Sequence, residues 1–184
     1  MKKFGIFALV LIFVSMTAAV ALAGDNPLRT AEKAFNKEMG QLIPKDKIVN
    51  AQQFHKVWED VLAGKSNAIL IDVRSDTEFE AFHIEGTNHV QAGHWYVIPK
   101  KITDPNADIY VWCRTKHRAT YVAGFLYKVG YKNVHLYNGG VVGWAKAGYP
   151  FVNANAGEFK IMTYRPHPSK AEQSYKWRFW NSFK

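Results

Sequence analysis

The sequence is short of cysteine and of acidic residues. Only one of its 184 residues is a cysteine, Cys113, so an internal disulfide bond is excluded and the fold must rest on packing. Fifteen Asp and Glu residues oppose 24 Lys and Arg residues, which gives a formal net charge of +9 at pH 7. The chain has neither a dense basic run nor a known nucleic-acid-binding motif. We therefore expect small anions or anionic lipid headgroups, rather than nucleic acid, as partners.

The one long apolar run lies at the start of the chain. Two lysines precede an unbroken stretch of apolar or small residues from Phe4 to Leu22. Ala21 and Ala23 place small side chains where signal peptidase requires them, so residues 1–23 are predicted to be a secretory signal peptide. The protein is then expected in the periplasm or secreted. An uncleaved membrane anchor is the alternative, because the run approaches the ~20 residues that span a bilayer.

The rest of the chain predicts one α/β domain. Residues 24–46 are polar and are expected to form a lead-in segment with a short helix at 29–39. Helical stripes and short apolar segments then alternate over residues 47–152, which predicts a mostly parallel sheet flanked by helices. The segments 68–73 and 109–112 are continuously apolar, as expected for strands covered on both faces. The predicted strands are 48–49, 68–73, 88–90, 109–112 and 134–137.

Cys113 lies where such a sheet binds ligands. It follows the strand 109–112 directly and opens a loop that leads into a helix starting near Ala119. The loop continues with Arg114, Thr115, Lys116, His117 and Arg118. Its three cationic side chains and the N–H groups of the helix N-terminus favour a thiolate, and they would also stabilise an anionic persulfide. These residues predict a cysteine that accepts a sulfane sulfur and passes it to a second thiophile. The alternative is a small buried apolar residue.

Several motifs in the same order resemble the rhodanese-like domain family over residues 47–152. They are Asp72-Val73-Arg74, Glu78-Phe79, His83–Gly86, the loop Cys113–Arg118, Gly130–Val134, Asn138–Gly140 with Trp144, and Gly148–Pro150. The resemblance implies a five-stranded, mostly parallel sheet and a sulfurtransferase without a cofactor. It also implies that Cys113 is the catalytic residue and that Arg114, Thr115, Lys116, His117 and Arg118 bind the substrate anion. Arg74 is expected either near the mouth of this site or in a structural ion pair.

Loop length separates sulfur transfer from phosphoryl or arsenate chemistry. Phosphatases and arsenate reductases built on this fold have five residues between cysteine and arginine, whereas four lie between Cys113 and Arg118. A shorter ring is expected to fit a sulfur atom better than a tetrahedral phosphoryl group. We therefore expect thiosulfate or polysulfide as donor and a thiophile as acceptor. A sulfur carrier or partner-binding module without turnover stays open as the second interpretation.

Two departures from the family pattern bear on the site. Many single-domain members have glycine at the position of Lys116, where a positive φ would suit glycine, so the lysine conflicts with the usual loop conformation. Lys116 also adds a cation beside the sulfur, which is expected to strengthen binding of doubly charged donors. The second departure is Phe82-His83-Ile84-Glu85, where the family usually has glycine before the histidine and proline after the isoleucine. This change is expected to affect packing rather than chemistry.

Other candidate sites are weaker. His83, His89 and His94 match no common metal-ligand spacing, so no metal is expected and His83 is predicted to make a structural hydrogen bond. Gly139, Gly140 and Gly143 lack the spacing of a dinucleotide-binding turn and predict a tight turn instead. His117 is either a general base or a solvent-exposed side chain.

The C-terminal tail, residues 153–184, lies outside the resemblance and mixes aromatic with basic residues. These are Tyr175, Lys176, Trp177, Arg178, Phe179, Trp180, Phe183 and Lys184. Three interpretations stay open: a helix that packs back on the domain, a dimer or partner surface, and an interfacial membrane helix.

Overall fold

The computed structural model describes residues 26–161. Its centre is a five-stranded sheet of order β1-β5-β4-β2-β3 in which every neighbouring pair is parallel. The strands are β1 (Ile48–Val49), β2 (Ile69–Asp72), β3 (Asn88–His89), β4 (Ile109–Trp112) and β5 (Val134–Tyr137). The predicted fold class is confirmed. The predicted bounds of β1, β4 and β5 are correct, whereas β2 and β3 are shorter than predicted.

Within residues 26–161, six α-helices surround or precede this sheet. They are α1 (Pro27–Gln41), α2 (Ala51–Leu62), α3 (Asp76–Ala81), α4 (Ile98–Lys101), α5 (His117–Lys128) and α6 (Gly140–Lys146). Two 3₁₀ helices at Lys45–Lys47 and Ala92–Val97, and a hairpin of β6 (Phe151–Asn153) and β7 (Gly157–Phe159), complete the fold. The sequence pattern did not predict these short helices, α4 or the hairpin. Within residues 26–161, no helix has the length and apolar character needed to cross a membrane.

Capping residues explain where α2 and α3 begin. The side chain of Asn50 accepts a hydrogen bond from the backbone of Gln53, whose side chain accepts one from the backbone of Asn50, both at 2.9 Å. Ser75 and Glu78 form the same reciprocal pair at the start of α3. Each capping box satisfies N–H groups that the first helical turn leaves without partners. The sequence predicts Asn50 as the cap of α2 and Ser75 with Glu78 as a capping box that opens α3, and both predictions are confirmed.

The core has two layers, one on each face of the sheet. All four residues of β4 are buried, as expected for a central strand covered on both sides. One layer packs α5 on the sheet through Val122 and Leu126, and the other centres on Phe54 of α2. On the outer side of α5, a Cβ added to Gly124 would lie 2.6 Å from the carbonyl oxygen of Met39 in α1. The backbones of α1 and α5 are therefore in close contact.

Candidate active site

Cys113 follows the strand at the middle of the sheet. β4 has β2 on one side and β5 on the other, so the residue after Trp112 emerges between the ends of two neighbouring strands. Cys113 is a free cysteine and only 1% of its surface is exposed. Its side chain contacts the apolar core, and its sulfur interacts with the guanidinium of Arg118. The thiol is therefore almost completely shielded from bulk solvent.

The N-terminus of α6 holds the loop after Cys113. The backbone N–H of Val141 donates to the carbonyl of Cys113 at 3.0 Å, and that of Val142 donates to the carbonyl of Arg114 at 3.1 Å. N–H groups in the first turn of a helix have no partner within the helix, so these bonds satisfy them. The loop carbonyls in turn are directed toward α6.

Gly140 shows how closely α6 approaches this loop. A Cβ at this position would lie 2.5 Å from the carbonyl oxygens of Cys113 and Thr115 and 2.7 Å from that of Arg114. In a planar trans peptide unit the N–H points opposite to the preceding carbonyl. The N–H groups of Arg114, Thr115 and Lys116 therefore point away from α6, to the other side of the loop. Together with the N-terminus of α5, they form an arrangement suited to an anion.

Lys116 fits into this loop without a left-handed backbone conformation. Its φ is −155° and its ψ is −19°, and its carbonyl accepts a hydrogen bond from Thr120 at 2.8 Å as α5 begins. The conflict expected from the loss of glycine is therefore absent. Thr115, Lys116 and His117 are exposed, whereas Arg114 is half-buried.

Arg118 forms a bidentate ion pair with Glu78. Its Nη1 and Nη2 atoms donate to Oε2 and Oε1 of Glu78 at 2.6 and 2.9 Å. Burial raises the pKa of Glu78, but the hydrogen bond from Arg118 and those from Ser75 outweigh it and lower the pKa to about 2. The same bond to Glu78, with a further contribution from Cys113, raises the pKa of Arg118. In the sequence, Glu78 is recognisable only as a family motif residue and as a capping residue, and no local signal connects it to a loop 40 residues later.

Arg74 is buried, and its guanidinium has protein partners. Nε donates to both carboxylate oxygens of Asp72 at 2.9 and 3.1 Å, and Nη2 lies 2.7 Å from Oδ2. Nη1 and Nη2 also donate to the carbonyls of Glu78 and Phe82 at 2.9 and 2.6 Å. The expected structural ion pair is thus present. It attaches α3 and the segment after it to the end of β2.

A cavity of about 450 Å³ lies beside the loop. Its walls come from α3, the loop and α6, and they are formed by Arg74, Thr77, Glu78, Ala81, Phe82, Arg114 and Val141. The guanidinium of Arg74 lies 5.2 Å from the ring centroid of Phe82. The departure from the family pattern at Phe82 therefore contributes to the packing of the cavity wall.

The three histidines considered as metal ligands have structural contacts. Nδ1 of His83 lies 3.0 Å from the carbonyl oxygen of Phe79, which confirms the predicted structural hydrogen bond. Nε2 of His89 lies 2.9 Å from the carbonyl oxygen of Arg74, and the rings of both histidines stack on Phe79. His94 contacts Tyr96 at 6.1 Å between ring centroids. Within residues 26–161, no three His, Cys, Asp or Glu side chains are grouped so that they could hold a metal ion.

Comparisons with known proteins agree with this architecture. A model of the rhodanese-like domain family matches residues 55–147, about half of the chain. The chain belongs to this family. The thiosulfate sulfurtransferase GlpE of Haemophilus influenzae is 33% identical over 95 residues, which cover 52% of this rhodanese-like chain and 87% of the relative. A sulfurtransferase of Allochromatium vinosum is 26% identical over 93 residues, covering 50% of this chain and 84% of that protein.

Solved structures show the same fold. A rhodanese-like domain from Anabaena sp. superimposes with a TM-score of 0.50 at 19% identity, covering 66% of this chain and 95% of that domain. Thiosulfate sulfurtransferase from Pseudomonas aeruginosa gives a TM-score of 0.52 at 20% identity, covering 68% of this chain and 24% of that protein. The rhodanese-like fold is therefore shown by structure as well as by sequence.

Two predictions fall outside the described residues. The signal peptide at 1–23 and the aromatic and basic residues of the tail lie in segments 1–25 and 162–184. The described start of the tail, residues 153–161, ends β6 and forms β7.

Proposed function

We propose that the protein is a sulfurtransferase that carries sulfane sulfur on Cys113. Membership of the rhodanese-like family and relatives named as sulfurtransferases support sulfur transfer in general. The observation that carries the proposal is the orientation of the loop. Its carbonyls at Cys113, Arg114 and Thr115 face α6, so the N–H groups that follow them face the side where an anion can bind.

The proposed donors are thiosulfate and polysulfide. The Cys113 thiolate attacks the outer sulfur of thiosulfate, the S–S bond of the donor breaks, and sulfite leaves with the bonding electron pair. With polysulfide, a shorter polysulfide leaves instead. The product on the enzyme is an anionic persulfide beside Arg118, whose charge favours it. Near-complete burial of Cys113 supports a small donor rather than a protein donor.

In the second half-reaction, a thiophile attacks the outer sulfur of the persulfide. The S–S bond breaks, its electron pair stays on the Cys113 sulfur, and the thiolate is regenerated. A physiological thiol or, in an assay, cyanide fills this role. No electrons are gained or lost overall, which agrees with the proposed absence of a redox cofactor.

Intact-mass spectrometry tests the proposal directly. We expect the protein to gain the mass of one sulfur atom after mixing with thiosulfate or polysulfide, and Cys113→Ser to gain none. Cyanide should then release thiocyanate from the loaded protein over many turnovers. Loading without turnover would instead support the carrier interpretation, and failure to load from either donor would overturn both.

We also propose that the protein acts outside the cytoplasm, because residues 1–23 have the features of a secretory signal peptide. The mass of the protein purified from its native host tests whether the signal peptide is cleaved after Ala23. Liposome flotation with and without residues 169–184 tests whether the tail binds membranes. Flotation that requires this segment would support a lipid-binding tail. If the protein does not float, the tail either packs on the domain or forms a partner surface.

A further inference from the structure

A second acidic residue contacts the loop Cys113–Arg118, here called the sulfur loop, from α1, which precedes the family-matched segment 55–147. Oε1 of Glu32 lies 2.8 Å from Nε2 of His117, the fourth residue after Cys113. The hydroxyl of Tyr121 donates to the same carboxylate oxygen at 2.5 Å and to the carbonyl oxygen of Glu32 at 3.1 Å. Asn36, one turn further along α1, donates its side-chain N–H to the carbonyl of His117 at 3.3 Å.

These contacts fix which nitrogen of His117 carries a proton. A carboxylate oxygen accepts hydrogen bonds, so the nitrogen facing Glu32, Nε2, carries the hydrogen and Nδ1 has the basic lone pair. The hydrogen bond from Tyr121 is the largest cause that lowers the pKa of Glu32, with smaller contributions from His117 and Lys33, so the carboxylate stays ionised at neutral pH. The ring of His117 meets Tyr121 edge-on, with 5.4 Å between centroids.

His117 is accessible from solvent. Its side chain is 56% exposed, whereas Cys113, four residues earlier in the same loop, is only 1% exposed. The neighbouring cations in the loop are Lys116 and Arg118, and Arg118 is paired with Glu78. A thiol that approaches the persulfide from solvent must lose its proton before its sulfur can attack. His117 is the loop side chain with a basic lone pair.

We propose that Glu32 is a positioning residue for the acceptor half-reaction and that the acceptor is a thiol. The proposal rests on the proposed sulfurtransferase function. Glu32 holds His117 so that Nδ1 takes the proton of the acceptor thiol, and it stabilises the imidazolium that results. The acceptor sulfur then bonds to the outer sulfur of the persulfide, the S–S bond breaks, and its electron pair returns to Cys113. The released product is an acceptor persulfide, and the proton on His117 passes to solvent.

Single-turnover discharge of the loaded protein tests this role. The full chain is first loaded with sulfur, and loading is verified by mass, so that a failure of the proposed function shows at this stage. The loaded protein is then mixed, at mildly alkaline pH, with either 2-mercaptoethanol or sulfite. The attacking sulfur of sulfite carries no proton at this pH. We expect Glu32→Ala to slow discharge to the thiol by about two- to fivefold, the range for one exposed charge-assisted contact. His117→Ala should slow it by about tenfold, because part of the thiol ionises without help. Discharge to sulfite should not change in Glu32→Ala, because Glu32 makes no contact with the reacting sulfur.

Further variants separate positioning from folding. Glu32→Gln keeps an oxygen that can accept from Tyr121 and His117 but loses the charge, so it should fall between wild type and Glu32→Ala. Glu38→Ala, another exposed glutamate on α1, is the matched control and should discharge as wild type does. In a His117→Ala background, Glu32→Ala should add no further effect, because Glu32 acts through His117. NMR of the ring nitrogens should find the hydrogen of neutral His117 on Nε2 in the wild type. In Glu32→Ala, this hydrogen should exchange between Nε2 and Nδ1.

Three results would overturn the inference. They are discharge to the thiol at the wild-type rate in Glu32→Ala, equal slowing toward thiol and sulfite, and an undiminished effect of Glu32→Ala when His117 is already absent. Thermal unfolding of each variant identifies loss of α1 packing, and Glu32→Gln keeps the test valid if Glu32→Ala does not fold.

Discussion

Gly140 is the position at which α6 contacts the sulfur loop, and replacing it by alanine tests how strongly that contact determines the site. The added Cβ would lie 2.5 Å from the carbonyl oxygens of Cys113 and Thr115. Both are backbone atoms, so a change of side-chain rotamer cannot relieve the overlap. Either α6 or the loop must move. Because Cys113 begins this loop, a shift large enough to accommodate a methyl group also moves the N–H groups proposed to bind the donor.

Two effects lower the folding stability of Gly140→Ala, and they add. The φ of Gly140 is +54°, a left-handed conformation that costs an L-residue roughly 1–2 kcal/mol. Overpacking against a rigid neighbour costs about 1–3 kcal/mol. The free energy of unfolding should therefore fall by about 2–5 kcal/mol, which a domain with about 5–15 kcal/mol of stability can tolerate. Gly148→Ala is the matched control, because its φ is +74° but a Cβ there would meet no atom within 4 Å.

Urea unfolding and the rate of sulfur loading together measure the effect. Gly148→Ala should lose only the backbone part, about 1–2 kcal/mol, and should load sulfur at the wild-type rate. Gly140→Ala should lose more stability than this control and load sulfur about 100-fold more slowly, since a displacement near 1 Å has effects of that size. Equal stability losses in the two variants, with normal loading in both, would refute the claim that α6 fixes the loop.

Three further substitutions test individual side chains. Glu78→Gln should destabilise the protein above pH 5, where the carboxylate paired with Arg118 is ionised in folded and unfolded chains alike. Because its pKa falls from 4.5 to about 2 on folding, the difference should shrink between these values and vanish below pH 2 in pH-dependent urea unfolding. Lys116→Gly should raise the KM for thiosulfate by about two- to fivefold without altering the loop, and an unchanged KM would show that this cation does not contribute to donor binding. Arg74→Met should lower the free energy of unfolding by about 3–5 kcal/mol, because the Asp72 carboxylate would stay buried without its partner. A loss below 1 kcal/mol combined with a raised KM would instead make Arg74 a substrate-binding residue.

The sequence predicts the elements whose signals are local. β4 is recognisable because it is a short apolar run, and β5 because three of its four residues are apolar; both are bounded by turn or loop residues. The starts of α2 and α3 are recognisable because Asn50 and Ser75 form capping boxes within three residues. The 3₁₀ segment Ala92–Val97 has no such pattern. Its position depends on packing against α5, which only the assembled fold supplies.

The residues of the candidate site likewise divide into those with a local sequence signal and those without one. Cys113 and its loop are visible in the sequence because charge, placement after a strand and a single thiol coincide within six residues. Glu78 and Glu32 carry no comparable signal, because their roles depend on contacts with Arg118 and His117 far along the chain. Lys116 is the opposite case, in which the sequence indicated a feature that the structure lacks. A family preference for glycine indicated strain there, but the observed φ of −155° requires none.

Strand order connects these observations. β4 lies between β2 and β5, and in a parallel sheet the carboxyl ends of the strands meet at one edge. The segment after β2 supplies Arg74 and Glu78, the segment after β4 supplies Cys113, and the turn after β5 supplies Gly140. Three segments that are distant in sequence therefore converge because their strands are neighbours, and the central one carries the thiol. A chain with the same motifs but with β4 at the edge of the sheet would have support on one side only. The central position of β4 thus explains how Glu78 and Gly140 can hold one short loop from both sides.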